Sequence, residues 1–204
     1  MAADGTRQGE PREARSAQTE LERLQVENAA LRAELADMER RLDEARALAD
    51  LDPLSSVLNR RAFLQALDRM LARRSRHGDP ASLGFFDVDR LKEINDRYGH
   101  VAGDAVIARI GATLAEAVRR SDVAGRLGGD EFGVIFWRAD TDDAFNSADR
   151  LVETLRAVQL EWRGAIIPLD VSFGVAELTS GARPEDVIQA ADEAMYANKR
   201  SKRR

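Results

Sequence analysis

The sequence predicts an α+β domain, with helices packed on a mainly antiparallel sheet, preceded by one long coiled-coil helix. Three observations lead there. Near the N-terminus, apolar residues recur at an unbroken heptad spacing. Beyond residue 52, short apolar runs of strand length alternate with stretches of helical period. Two of the segments read as strand pairs, one of them closed by a tight Gly-Gly-Asp turn. The 204 residues accommodate one domain of ~150 residues with an appendage. With 33% charged and 5% aromatic residues the chain is too polar for one compact globule, which suits a solvated helix beside a core.

Composition excludes several classes of function. Lys and Arg total 31 and Asp and Glu 36, so the net charge is −5 and the pI near 5.3. That balance counts against nucleic-acid binding through bulk charge. The absence of Cys excludes disulfides, thiolate zinc sites and cysteine nucleophiles, and two His are too few for a histidine-built metal site. No apolar run approaches the ~18 residues of a membrane span, and Met1 to Glu10 lacks an apolar signal core. The expectation is a soluble, cytoplasmic protein without a membrane span.

Taken in order, residues 1–16 mix charge, Gly and Pro without period and read as a disordered tail. Residues 17–51 read as a dimerising coiled coil. Leu21, Leu24, Asn28, Leu31, Leu35, Met38, Leu42 and Ala45 follow at steps of 3, 4, 3, 4, 3, 4 and 3. A lone Asn28 at an a position favours two parallel strands, because shifted registers would bury it unpaired. In that register Glu27 faces Arg32 of the partner favourably, whereas Glu34 would face Glu39 and Arg41 would face Arg46. A single amphipathic helix packed on its own domain is the plainer alternative.

Asp52-Pro53 breaks the helix and opens the domain, residues 52–204. A helix follows from Asn59, with Phe63, Leu64, Leu67, Met70 and Leu71 on one face. The segment Arg76 to Pro80 is a turn, and Ala81 to Val88 a buried strand ending in carboxylates. A short helix spans about Arg90 to Arg97 and ends at Gly99. A longer one carries Val106, Ile107, Ile110, Leu114 and Val118. Val123 to Trp137 is a hairpin turning at Gly128-Gly129-Asp130. A helix with Ala144, Ala148, Leu151 and Leu155 comes next, then a second strand pair within Val158 to Glu177. The last helix carries Val187, Ala191 and Met195, with Pro184 in its first turn.

Two acidic clusters carry the candidate chemistry: Asp87-Val88-Asp89 at a strand end, and Asp130-Glu131 after the Gly-Gly turn. Carboxylates at a strand end and a neighbouring hairpin tip can converge on a hard cation such as Mg²⁺, which takes oxygen ligands and substrate phosphates. Two such ions would stabilise both oxygens of a phosphoryl transfer. By spacing alone, a Gly-Gly turn followed by acids is usually only a solvated hairpin, and Asp89 often just a helix cap.

The strings themselves are more specific. Arg126-Leu127-Gly128-Gly129-Asp130-Glu131-Phe132 resembles the signature of GGDEF-family diguanylate cyclases. So does the segment from Phe86 to Asp104, together with Asn59-Arg60-Arg61, Ser172 to Ala176, and Ala191 to Tyr196 followed by Lys199. The resemblance covers residues 52–204. It implies a palm-like fold of the ferredoxin-like, nucleotidyl-cyclase type. It also implies condensation of two GTP to cyclic di-GMP and two pyrophosphates across a homodimer, with two Mg²⁺ per half-site (Mn²⁺ as a substitute).

Roles follow by matched position. The resemblance implies metal binding by Asp87, the Val88 carbonyl and Asp130, with Asp130 also helping to deprotonate the 3′-hydroxyl and Glu131 supporting the metal site. Lys92 would offset transition-state charge. Asn95 and Asp104 would read guanine, with His100 at the nucleotide and Gly128 and Gly129 permitting its close approach. Lys199 and Arg203 would hold the β- and γ-phosphates. Arg119 and Asp122 match the family's Arg-x-x-Asp site, at which cyclic di-GMP inhibits its own synthesis. Ser55 and Ser56 stand where the family usually has Thr-Gly, Lys202 where it has Gly, and Leu91 where Phe is common. Two other readings compete: a degenerate domain that only binds cyclic di-GMP or GTP, and a coiled-coil interaction protein with a passenger domain.

Overall fold

A computed structural model describes residues 12–202. The chain divides into two units at residue 48. The first holds the helix α1 (Arg12–Asp50) except its last two residues. Residues 12–16, expected in the tail, are helical, and the rest of the expected tail lies outside the described residues. The helix runs unbroken through the heptad. Leu21, Leu24, Leu31, Leu35 and Met38 are each at least half exposed in the single chain. The side chains of Leu42 and Ala45 lie outside the described residues. Arg41 pairs with Asp37 of its own helix, Nε to Oδ2 2.8 Å, which occupies a charge expected to face a like one.

The second unit follows the order α2 (Arg60–His77), β1 (Ala81–Val88), α3 (Leu91–Tyr98), α4 (His100–Ala117), β2 (Val123–Arg126), β3 (Glu131–Trp137), α5 (Thr141–Ala157), β4 (Gln159–Trp162), β5 (Ala165–Pro168), β6 (Val171–Glu177) and α6 (Pro184–Lys202). Asn59 caps α2 by accepting the Ala62 N–H at 3.0 Å, and Gly78 closes it with φ +74°. Asp140 caps α5 through the Asp143 N–H.

The main sheet has strand order β2-β3-β1-β6, every neighbouring pair antiparallel. The expected second strand pair is corrected here: the segment holds three strands in two sheets. β4 and β5 form a separate hairpin, while β6 joins the main sheet beside β1. The alternation of strand side chains then sorts the core into two layers. Phe86, Val88, Phe132, Val134, Phe136, Val171 and Phe173 face α4 and α5. Leu83, Phe85, Ile135 and Trp137 face α2 and α6. Asp87, Glu131 and Ser172 share the strand parity of that second face. The register places Glu131 and Ser172 directly opposite Asp87, one on each side. The site is therefore a row across one end of the sheet. Helices on an antiparallel sheet make the palm-like fold expected of the sequence.

Candidate functional site

The ladder is tied off where the row lies. The Val88 N–H donates to the Asp130 carbonyl at 3.0 Å, and the Asp89 N–H to the Asp170 carbonyl at 2.9 Å. The end of β1 is thus clamped between the β2–β3 turn and the segment leading into β6. The turn is held by two arginines, one remote in sequence and one at its own edge. Arg60 Nη1 donates to the Leu127 carbonyl at 2.6 Å. Arg126 donates from Nε to the Gly128 carbonyl at 3.1 Å and from Nη2 to the Gly129 carbonyl at 2.8 Å. Its Nη1 reaches Asp52 Oδ1, also at 3.1 Å.

Asp52 organises the entry to the domain. Its carboxylate accepts the Leu54 and Ser55 N–H groups and the Ser55 hydroxyl. Burial alone would raise its pKa. The hydrogen bonds from Ser55 and Arg126, with the guanidinium charge, outweigh burial and hold it below the ordinary aspartate value. Ser56, where a Gly was expected, takes φ +60°.

Around the row, Lys199 Nζ lies 2.5 Å from Asp87 Oδ1 and 3.0 Å from Asp89 Oδ1. The Ser172 hydroxyl donates to Asp89, 3.0 and 2.9 Å from its two oxygens. Burial lowers the Lys199 pKa, but hydrogen bonds to Asp87 and Asp89 and their charges carry it above the ordinary lysine value. Glu131 goes the other way. Burial first, then the charges of Asp130, Asp192 and Asp87, raise its pKa, against a smaller lowering by Arg60. Carboxylates crowded enough to repel one another and to draw in an ammonium fit a hard cation. Among the described residues no group of three or more His, Cys, Asp or Glu side chains is arranged to hold one unaided. The donor set is thus of the kind completed by a backbone carbonyl, waters and phosphates.

The α3–α4 corner is built differently. Arg90, with φ +57°, leads into α3 without a side-chain cap, which leaves an N-terminus suited to phosphate. Lys92 stands exposed in the first turn. Gly99, at φ +85°, turns the chain into α4. Gly103 lets α4 approach α3 closely: a Cβ there would fall 2.0 Å from Asn95 Oδ1. That oxygen is buried without a hydrogen-bond partner. Asp104 follows Gly103 and is exposed, as is His100.

Arg119 and Asp122 come together at the far end of α4, where the Asp122 N–H donates to the Arg119 carbonyl at 2.9 Å. They line a cleft of about 300 Å³ with Ser147, Arg150 and Thr154 of α5. Arg203 lies outside the described residues. The remaining expected residues thus gather into two neighbouring groups and one separate cleft. Sequence reading missed the roles of Arg60, Arg126, Asp52, Ser172 and Arg150. Arg60, Arg126 and Ser172 stood inside recognised motifs, which was the available signal. Arg150 carried none.

Residues 49–204 match the family model for the diguanylate cyclase GGDEF domain, and the chain belongs to that family. Escherichia coli diguanylate cyclase DosC is 36% identical over 151 residues, covering 74% of this chain and 33% of DosC. Pseudomonas aeruginosa diguanylate cyclase TpbB is 37% identical over 190 residues, covering 90% of this chain and 44% of TpbB. The chain therefore spans between about a third and just under half of these curated relatives. The coiled coil and GGDEF domain of Caulobacter crescentus DgcB, solved with c-di-GMP, superposes with TM-score 0.75 at 30% identity, covering 87% of this chain and 95% of that one. P. aeruginosa SiaD, solved with its activator SiaC, gives TM-score 0.75 at 29% identity over 93% of this chain and 75% of that one.

Proposed function

We propose that the protein is a diguanylate cyclase condensing two GTP into cyclic di-GMP and two pyrophosphates. The observation that carries this reading is the carboxylate row at the end of β1: Asp87 opposite Glu131, with Asp130 in the adjoining turn. Asp87, the Val88 carbonyl and Asp130 would hold Mg²⁺ (two ions per half-site, Mn²⁺ substituting). The metal supplies charge neutralisation at the phosphates when bound.

The chain's own residues do the positioning. The uncapped start of α3, Lys92 and Lys199 receive phosphate oxygens. Asn95 and Asp104 read the guanine edge, Asp104 accepting from N1–H and the 2-amino group, a pair that adenine lacks. His100 lies beside the base. Asp130 helps take the proton as the 3′-oxygen of one GTP attacks the α-phosphorus of the other. The P–O bond to pyrophosphate breaks, and the step repeats in the opposite sense. Electrostatics and placement provide most of the acceleration in such transfers.

One domain presents one nucleotide, so two must meet. A parallel coiled coil of α1 would bring the half-sites to high effective concentration. Exposed leucines at heptad positions support it. Asn28→Leu should strengthen association and broaden the oligomer distribution; one unchanged dimer mass by analytical ultracentrifugation would contradict that. The Arg119–Asp122 cleft supports product inhibition, with Arg150 as a second guanidinium for phosphate or guanine. Arg119→Ala should then raise the inhibition constant for cyclic di-GMP. We place the reaction in the cytoplasm, with GTP as substrate; no described helix is long and apolar enough to cross a membrane.

The test uses protein stripped of nucleotide, GTP and Mg²⁺, with products resolved by chromatography and mass detection. Cyclic di-GMP formed from GTP and not ATP, and lost in Asp130→Ala, supports the cyclase. No product from a protein shown to be dimeric moves the reading to a binding domain, or to a cyclase awaiting a signal through the coil.

A further inference from the structure

Lys199 owes its position to how α6 lies on the sheet. Ala191, Met195 and Lys199 recur every four residues and share one helix face. The first two are buried against the sheet. Gly174 in β6 lets the helix backbone itself touch the strand, since a Cβ there would fall 2.1 Å from the Met195 nitrogen. One turn further on, this seat carries Lys199 over the end of β1. Its ammonium bridges Asp87 and Asp89, and all three side chains are at least three-quarters buried. Asp89 is in turn held by the hydroxyl of Ser172, which is 5% exposed and sits opposite Asp87 in the register.

We propose that Lys199 is the resident cation of this seat, holding the place of the divalent ion at Asp87, with Asp89 as the counter-ion onto which it withdraws. The inference rests on the reading of Asp87 as a metal ligand. An ammonium 2.5 Å from Asp87 Oδ1 and a metal ion cannot share that oxygen without direct repulsion. Metal entry therefore requires Lys199 to leave Asp87. Asp89 keeps it nearby, and the phosphates of an arriving nucleotide offer it new oxygen partners. Metal and nucleotide bind together as a result, and metal alone binds weakly. Asp89 acts through Lys199 and is a positioning residue.

The experiment titrates Mn²⁺ into the nucleotide-free full chain, read by water-proton relaxation, which separates protein-bound from nucleotide-bound metal. Lys199→Met should bind Mn²⁺ at least about tenfold more tightly than wild type, since a seat free a tenth of the time binds ten times more weakly. Its melting temperature should start lower and rise more on adding Mn²⁺. Asp89→Asn should weaken Mn²⁺ binding in the wild type and much less in Lys199→Met. Equal Mn²⁺ affinity in wild type and a folded Lys199→Met overturns the proposal, leaving the contact as an ordinary ion pair. An equal Asp89 effect in both backgrounds removes Asp89 from it. If wild type binds no Mn²⁺ even beside a non-hydrolysable GTP analogue, the metal reading of Asp87 falls first. Binding with the analogue but no gain in Lys199→Met removes the placeholder alone.

Discussion

The β2–β3 turn and the α3–α4 corner are prepared in opposite ways. Three successive turn carbonyls, of Leu127, Gly128 and Gly129, each receive a guanidinium hydrogen bond. At the corner, Asp104 and His100 are exposed and carry no such clamp. On the proposed reading, the difference matches two tasks. Groups that meet developing charge gain from being fixed in advance. Groups that read a base must leave their hydrogen-bonding capacity unspent until the base supplies the complement.

The sharpest way to break the contrast is Arg126→Met. It removes two turn contacts and leaves Asp52, which is 17% exposed, without its ion pair. A loss of about 2–3 kcal/mol is expected, or roughly 5–10 °C in melting temperature, with activity falling as well. Unchanged melting would mean that the turn holds itself. Asp104→Ala addresses the open corner. The cost of about 1–3 kcal/mol should fall on GTP, as a 10- to 100-fold rise in KM with discrimination against ATP relaxed. Melting should stay within about 1 °C, because the side chain is solvated. A large drop in melting with KM intact would make Asp104 a structural residue.

Ser56→Gly tests the entry turn. A serine at φ +60° carries strain that glycine lacks, so stability should rise by about 1 kcal/mol at most. Differential scanning calorimetry showing no gain would place the relief elsewhere. The smallest effect concerns Glu131. Its pKa is raised on folding, so its ionisation weakens the fold as pH rises from about 4.5, the ordinary glutamate value, through the folded-state value. Glu131→Gln should melt slightly higher than wild type at pH 7 without metal, and the difference should vanish below about pH 4.5. A difference that persists in acid would assign the effect to packing.

Much of this molecule was legible because it is written locally. Ala81 to Val88 forms the strand expected of it, and the turn falls at Gly128-Gly129-Asp130. The short helix stops at Gly99, and the break after α1 falls at Asp52-Pro53. Periodicity and turn chemistry act over a few residues and leave their trace in order along the chain. The site was legible in a second way, through strings such as Phe86 to Asp104 that resemble a family.

The rest is made of partners distant in sequence, to which no local period refers. Val171 to Glu177 reads as half of a hairpin, but its mate is β1, over eighty residues earlier, because only there does its apolar face meet α5 and its Gly174 admit α6. Arg60 and Leu127 lie 67 positions apart, and Lys199 and Asp87 lie 112 apart. The sequence by itself determined most of the elements, the turns and the family. Tertiary structure decided which strand β6 joins, which arginines hold the turn and which carboxylates hold Lys199. Those outcomes depend on packing and charge summed over the whole fold.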